Sequence, residues 1–150
     1  MAARKMRNAV AAATALRTPH SAVWRLLDAN ANRAREGLRV AEDTARFILE
    51  QPRTSQALRG LRHRLDQLTR RHYGDLLRHR DVANDSGRQN PAARHKGGTA
   101  ALLAANFKRC EEALRVLEEY GRVLSPGTVR GFQELRFNVY QWEKKLLQSR

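Results

Sequence analysis

Cysteine occurs once, at Cys110, so the chain has no internal disulfide and no cysteine-based zinc site. A lone thiol fits a reducing compartment, and a cytoplasmic location is the expectation. No apolar run approaches the roughly 20 residues that a membrane span needs. Strand signals are missing, as are a nucleophile elbow and a glycine-rich dinucleotide loop. Aromatic residues make up only 6% of the chain, which gives a nucleic-acid-binding surface few rings to stack on bases. Acidic residues are scarce beside basic ones: 15 Asp and Glu against 29 Lys and Arg, a formal charge of +14. That excess calls for anionic partners, whether nucleic acid, acidic lipid or phosphorylated small molecules.

What the chain does have is helical periodicity, written twice. Residues 29–46 read ANANRAREGLRVAEDTAR and residues 105–122 read ANFKRCEEALRVLEEYGR. A shift of 76 positions lays Asn30 on Asn106, Arg33 on Arg109, Glu36 on Glu112, Arg39 on Arg115 and Glu42 on Glu118. In the first copy Leu27, Ala31, Ala34, Leu38, Ala41, Ala45 and Ile48 alternate steps of four and three, the seam of a packed helix. Leu103, Phe107, Cys110, Leu114, Leu117, Gly121 and Leu124 repeat it. His20-Ser21 and Thr99 are expected to cap these helices, and Pro52 to end the first.

A second helix is expected from Thr54 or Ser55, with Leu58, Leu61, Leu65, Leu68 and Leu76 inward. A last one carries Val129, Phe132, Leu135, Val139, Trp142 and Leu146. Here too there is an echo, LRHRL at Leu61 against LRFNV at Leu135. The expected fold is therefore all-α: a four-helix bundle of two repeated hairpins related by a pseudo-twofold axis, or a homodimer that doubles the bundle. Residues 1–19 read as a basic flexible tail rather than a targeting segment, and residues 20–150 as one helical domain.

On an ideal helix with Leu27 at the centre of the buried face, Asn30 lies about 60° to one side, Gly37 about 80° and Arg33 about 120°. Asn106, Arg109 and Ala113 form the same flank of the second copy. Asparagine donates and accepts at once, and arginine clamps phosphate bidentately, so this flank is a candidate site. Glycine inside a helix costs roughly 1 kcal/mol relative to alanine, so Gly37 marks a close approach by a helix or a ligand. The ladder Arg39, Glu42, Arg46 lies on the other side, where alternating charge usually decorates a solvated face.

The stretch RDVANDSGRQNPAARHKGG, residues 80–98, is a long loop of turn formers. Arg80, Asp81 and Asp85 cluster at its start. Two carboxylates four residues apart suit magnesium, or simply pair with Arg80 and Arg88. HKGGT at its end offers helix N–H groups and Lys96 to an anion, but it is not a Walker motif. His63, His72 and His79 lack metal-ligand spacing. Arg62, His63, Arg70, Arg71 and Arg78 are spread around their helix, so nucleic acid is a disfavoured partner.

Taken in order, LLDANANRAREGLRVAEDTARFIL, LRGLRHRL, RDVANDSG, AANFKRCEEALRVLEEYGR and LRFNVYQWEK resemble the small helical hydroxymethylpyrimidine phosphate kinases, often fused to the amino side of thiamine phosphate synthase. The resemblance runs from Trp24 to Leu147. It implies transfer of the ATP γ-phosphoryl group to 4-amino-5-hydroxymethyl-2-methylpyrimidine phosphate, giving the diphosphate used in thiamine biosynthesis. Mg-ATP is the implied co-substrate and thiamine phosphate synthase the implied partner. A catalytically silent partner domain of that synthase is the alternative. The family loop usually runs Arg-Asp-Thr, two residues, then Asp-Val-Gly-Thr; Val82, Ser86 and Arg88 depart from it. The synthase domain itself is expected to lie outside this chain.

Phosphoryl transfer rests on positioning and electrostatic stabilisation. On the implied activity Arg33 and Arg109 act on phosphates as catalytic residues, with Glu36 and Glu112 beside them. Asn30 and Asn106 orient substrate, with Arg39, Arg115, Arg80 and Lys96 as further phosphate contacts. Asp81 and Asp85 hold magnesium.

Overall fold

The computed structural model describes residues 19–92 and 97–148. Lys96 and, apart from Pro19, the expected basic tail lie outside the described residues. The described chain is all-helical. Four long helices are α1 His20–Asp43, α2 Pro52–Thr69, α4 Thr99–Leu124 and α5 Val129–Gln148; a short α3, Tyr73–Arg78, follows α2 through a tight turn at Arg70–His72. Among the described residues no helix is long and apolar enough to cross a membrane.

The repeated seams make the core. Leu27, Ala31, Ala34, Leu38, Ala41 and Ala45 are buried, as are Leu103, Phe107, Cys110, Leu114, Leu117 and Gly121. Helix α1 supplies small residues where α4 supplies larger ones, so the two backbones come close. A Cβ built on Gly37 would sit 2.8 Å from the Asn106 carbonyl oxygen. The close approach expected of Gly37 is thus to a neighbouring helix. Contacts join α1 to α2, α2 to α5, α5 to α4 and α4 back to α1, a closed ring of four. The start of α1 shares a hollow with Val116 and Tyr120, late in α4, while Gly37 meets Asn106, early in α4. The two copies therefore run antiparallel, which is compatible with a pseudo-twofold axis perpendicular to them.

Several boundaries differ from expectation. Helix α1 widens into a π turn over Thr44–Ile48, with the Leu49 N–H donating to the Thr44 carbonyl at 3.0 Å. The extra residue in that turn rotates Ile48 off the seam, and it is 62% exposed. Glu50, at φ 52°, reverses the chain in the left-handed region. Pro52 does not end α1; it opens α2, where a missing N–H costs nothing. Leu76 is buried, as expected, but from the separate α3. Pro19 and Gly98 occupy the two expected cap positions, and neither His20, Ser21 nor Thr99 supplies a side-chain cap. Gly97, at φ +140°, turns the chain into α4 as only glycine readily does.

Of the ladder, Arg39 and Arg46 lie on a solvated face but the glutamate between them does not. Glu42 and Glu118 point into their hairpins and are buried. Arg62 Nε donates to Glu42 Oε2 at 2.9 Å, and Arg136 Nε to Glu118 Oε2 at 3.0 Å. Each hairpin is thus clamped by an ion pair on a buried glutamate, beside a more exposed pair, Arg35–Asp66 in the first and Lys108–Glu143 in the second. Arg62 and Arg136 lie in the LRHRL and LRFNV echo.

Candidate functional site: a cleft across the repeat

Helices α1 and α4 border a cleft of about 470 Å³. Asn30, Arg33, Glu36 and Gly37 line one wall; Asn106, Arg109, Glu112 and Ala113 line the other. The helical spacing i, i+3, i+6, i+7 puts each set on one flank, and the antiparallel pairing turns the flanks toward each other. The Asn30 Nδ2 donates to the Leu26 carbonyl and the Asn106 Nδ2 to the Leu102 carbonyl, both at 2.9 Å. That shared bond fixes each amide and leaves its Oδ1 as an acceptor.

Arg33, Arg109, Glu36 and Glu112 are exposed, and their side chains have no hydrogen-bond or ion-pair partner among the described residues. Two unneutralised guanidiniums in one concave site attract an anion, and their planar forks match phosphate oxygens. The two carboxylates beside them accept hydrogen bonds from an amino group or approach a metal.

A more open hollow of about 720 Å³ adjoins the cleft and shares Asn30, Arg33 and Val116 with it. Asp81 and Asp85 reach this hollow from the loop. Hydrogen bonds from the Asn84 side-chain amide, at 2.8 Å, and its backbone N–H, at 3.1 Å, hold the Asp81 carboxyl below the usual range. Asp85 Oδ1 accepts from the Gly87 N–H at 2.9 Å. Among the described residues no cluster of three or more His, Cys, Asp or Glu could hold a metal alone. Magnesium asks less, taking one or two carboxylates and completing its shell with water and substrate phosphates. An ionised Asp81 with Asp85, in the hollow that Arg33 also lines, suits that requirement.

Three expected phosphate contacts stand elsewhere. Arg39 binds Asp43 at 3.0 Å, and Arg115 binds Glu119 at 2.7 Å and Glu118 at 3.3 Å. Their position on the far side of the seam turns them from the cleft toward carboxylates of their own helices. Arg80 forms a fork with buried Asp28, Nε and Nη2 each at 2.7 Å from a carboxylate oxygen. It ties the loop to α1 and does not line the cleft. Asp28 escaped the sequence reading because the second copy has Ala104 in its place. A lone polar residue beside Leu27 was its only signal. Cys110 is a packed thiol, pushed up to about 12 by burial and by neighbouring Glu111.

The fold and cleft define a class: an all-helical protein whose duplicated helix frames an arginine-lined cleft. The chain belongs to the ThiD2 family, whose model matches residues 25–145. It is 44% identical over 132 residues to a thiamine-phosphate synthase of Synechocystis, covering 87% of this chain and 38% of that protein. Identity is 41% to the thiamine-phosphate synthase of Synechococcus strain CC9311, over 85% of this chain and 36% of the relative. For that of Nostoc punctiforme it is 38%, over 83% and 35%. The chain thus spans little more than a third of the length of these relatives. No solved structure matches it.

Proposed function

We propose that the chain serves thiamine biosynthesis as a phosphotransferase, converting 4-amino-5-hydroxymethyl-2-methylpyrimidine phosphate to its diphosphate with Mg-ATP. The observation that carries the reading is the pair of arginines, Arg33 and Arg109, without hydrogen-bond or ion-pair partners among the described residues, in one cleft with Glu36 and Glu112. Phosphoryl transfer requires little more than cations around the phosphates and a metal-binding carboxylate nearby. The acceptor oxygen belongs to a phosphate and is already ionised, so no strong general base is needed. Magnesium held by Asp81 and Asp85 would offset charge on the nucleotide phosphates.

The same reading has the enzyme discriminate against the unphosphorylated alcohol. Without its phosphate that substrate leaves a guanidinium unpaired, at about 1.5–3 kcal/mol for each charge-assisted hydrogen bond. Two such bonds amount to roughly a hundred-fold or more in rate.

A second reading rests on the relatives, whose name supports it more directly than it supports a kinase. They are called thiamine-phosphate synthase and are far longer than this chain, so this domain would be a non-catalytic companion of the synthase. ADP release and product identification with each pyrimidine separate the two. Diphosphate from the monophosphate alone is the expected result. Folded protein that makes none at saturating Mg-ATP ends the kinase reading. Binding to a synthase domain would then support the companion.

A further inference from the structure

The cleft is built by two equal copies, yet a kinase must tell two substrates apart. Asn30, Arg33 and Glu36 face the same residue types in Asn106, Arg109 and Glu112. Nothing within that set says which half meets the nucleotide.

The surroundings break the symmetry. Among the described residues the polar residues shared with the larger hollow, Asn30 and Arg33, come from the first copy and the second copy shares only Val116, while Asn106 and Arg109 line the cleft and not the hollow. The residues that distinguish the larger hollow have no counterparts. The 76-residue shift places Ala101 opposite Arg25 and Thr44 opposite Tyr120, and the loop carrying Asp81 and Asp85 occurs once. This hollow therefore combines a half-buried guanidinium, an exposed aromatic ring and two carboxylates. The side chain of Arg25 has no hydrogen-bond or ion-pair partner among the described residues. Such a combination matches a magnesium nucleotide: cation for polyphosphate, ring for the base, carboxylates for the metal. The cleft proper, at about 470 Å³, offers amide and carboxylate acceptors for an aminopyrimidine and Arg109 for its phosphate.

We infer that Mg-ATP occupies the open hollow with Arg25 on its polyphosphate, that the pyrimidine phosphate occupies the second-copy half of the cleft with Arg109 on its phosphate, and that Arg33 stands between them on the transferred group. The inference rests on the kinase reading above and assigns its two ligands. An oxygen of the acceptor phosphate forms the new bond to Pγ as the bond from Pγ to the β–γ bridging oxygen breaks. The electron pair leaves on ADP and no proton has to move. Arg33, where the two hollows join, neutralises charge on the group in flight.

The test is calorimetric binding to the intact chain of two probes separately, the β,γ-imido analogue of ATP with magnesium and the pyrimidine monophosphate, followed by turnover. Arg25→Ala is expected to weaken the nucleotide analogue roughly ten- to a hundred-fold and the pyrimidine less than about two-fold. Arg109→Ala is expected to do the reverse, and Arg33→Ala to lower kcat more than it weakens either probe. Arg59→Ala, an exposed charge outside both hollows, controls for net charge. Circular dichroism of each variant separates lost binding from lost fold, and Arg25→Gln, Arg33→Gln or Arg109→Gln replaces an alanine variant at the same position that fails to fold. Arg25→Ala that spares the nucleotide, or Arg109→Ala that weakens the nucleotide rather than the pyrimidine, overturns the assignment while turnover by the unmodified protein keeps the kinase reading. The expected binding pattern without any turnover upholds the two binding sites and removes both the kinase reading and the role of Arg33. An unmodified protein that binds neither probe overturns both.

Discussion

Arg136 and Glu118 form the most enclosed ion pair among the described residues: Nε and Nη2 lie 3.0 and 2.9 Å from Oε2, and the two side chains are 10% and 1% exposed. The Arg136 Nη1 also donates to the Tyr140 hydroxyl at 3.0 Å. Breaking such a pair from one side leaves Glu118 buried with only the exposed Arg115 at 3.3 Å and Arg122 at 4.0 Å on its other oxygen, a cost toward the lower end of about 3–5 kcal/mol. Arg136→Met is therefore expected to lower unfolding free energy by about that amount in urea titrations. Arg136→Met with Glu118→Leu is expected to recover most of the loss, because an apolar pair leaves no charge behind. Arg62→Met should cost less, since Arg62 is 16% exposed.

Gly37 sets the distance between α1 and α4 and thereby the width of the cleft above them. A new Cβ would meet the Asn106 carbonyl at 2.8 Å and the Cys110 Cβ at 3.2 Å, both on a rigid helix. Gly37→Ala gains helix propensity of about 1 kcal/mol but must push the helices apart. Overpacking of this kind costs about 1–3 kcal/mol, so the net change is expected to be destabilising or near zero. Ligand binding should fall by more than stability does, because Asn106 moves with the displaced backbone. Parallel melting curves and calorimetry of the variant check the two effects.

The Asp28–Arg80 fork holds the loop that carries Asp81 and Asp85. Asp28→Asn keeps the shape and removes the charge that Arg80 faces. The expected loss is about 1.5–3 kcal/mol, the worth of hydrogen bonds to charged groups. Amide exchange should rise over residues 80–90 while the centre of α4 stays protected. Uniform deprotection would mean that the fork holds the whole fold rather than this loop.

The seam of α1 and α4 was legible because its four–three alternation reports one buried face, and the structure buries those positions as far as Ala45 and Gly121. The cleft wall was legible for the same reason. Residues at i, i+3 and i+7 share a flank whatever their chemistry. The π turn was not, because Ile48 keeps the period in sequence and loses it only when the backbone adds a residue to the turn. Nor was the burial of Glu42 and Glu118, since a ladder at i, i+3 reads alike whether its partner is on the same helix or the next. Two echoes held that answer jointly: repeated glutamates in one helix and repeated arginines in the other. Arg80 misled for a related reason, its partner Asp28 lying 52 positions away in α1.

Glu111 carries a pH dependence of its own. Burial, with Glu143 nearby, pushes its carboxyl up to about 7, while Lys108 at 3.2 Å pulls the other way. Its Oε1 is buried without a hydrogen-bond partner among the described residues. The folded chain therefore keeps a proton on Glu111 that the unfolded chain releases near 4.5. Between those values the native state binds more protons, so this group's contribution to stability falls as pH rises and is fully lost above about 7. Glu111→Gln removes that term and stays neutral throughout. The gap in Tm between variant and unmodified protein should move in the variant's favour from pH 4.5 to 7 and level off above. Lys108 keeps Glu143 at 3.3 Å in the variant, so the α4–α5 contact survives the substitution. A gap independent of pH over this range would show that Glu111 ionises in the folded chain as it does in the unfolded one.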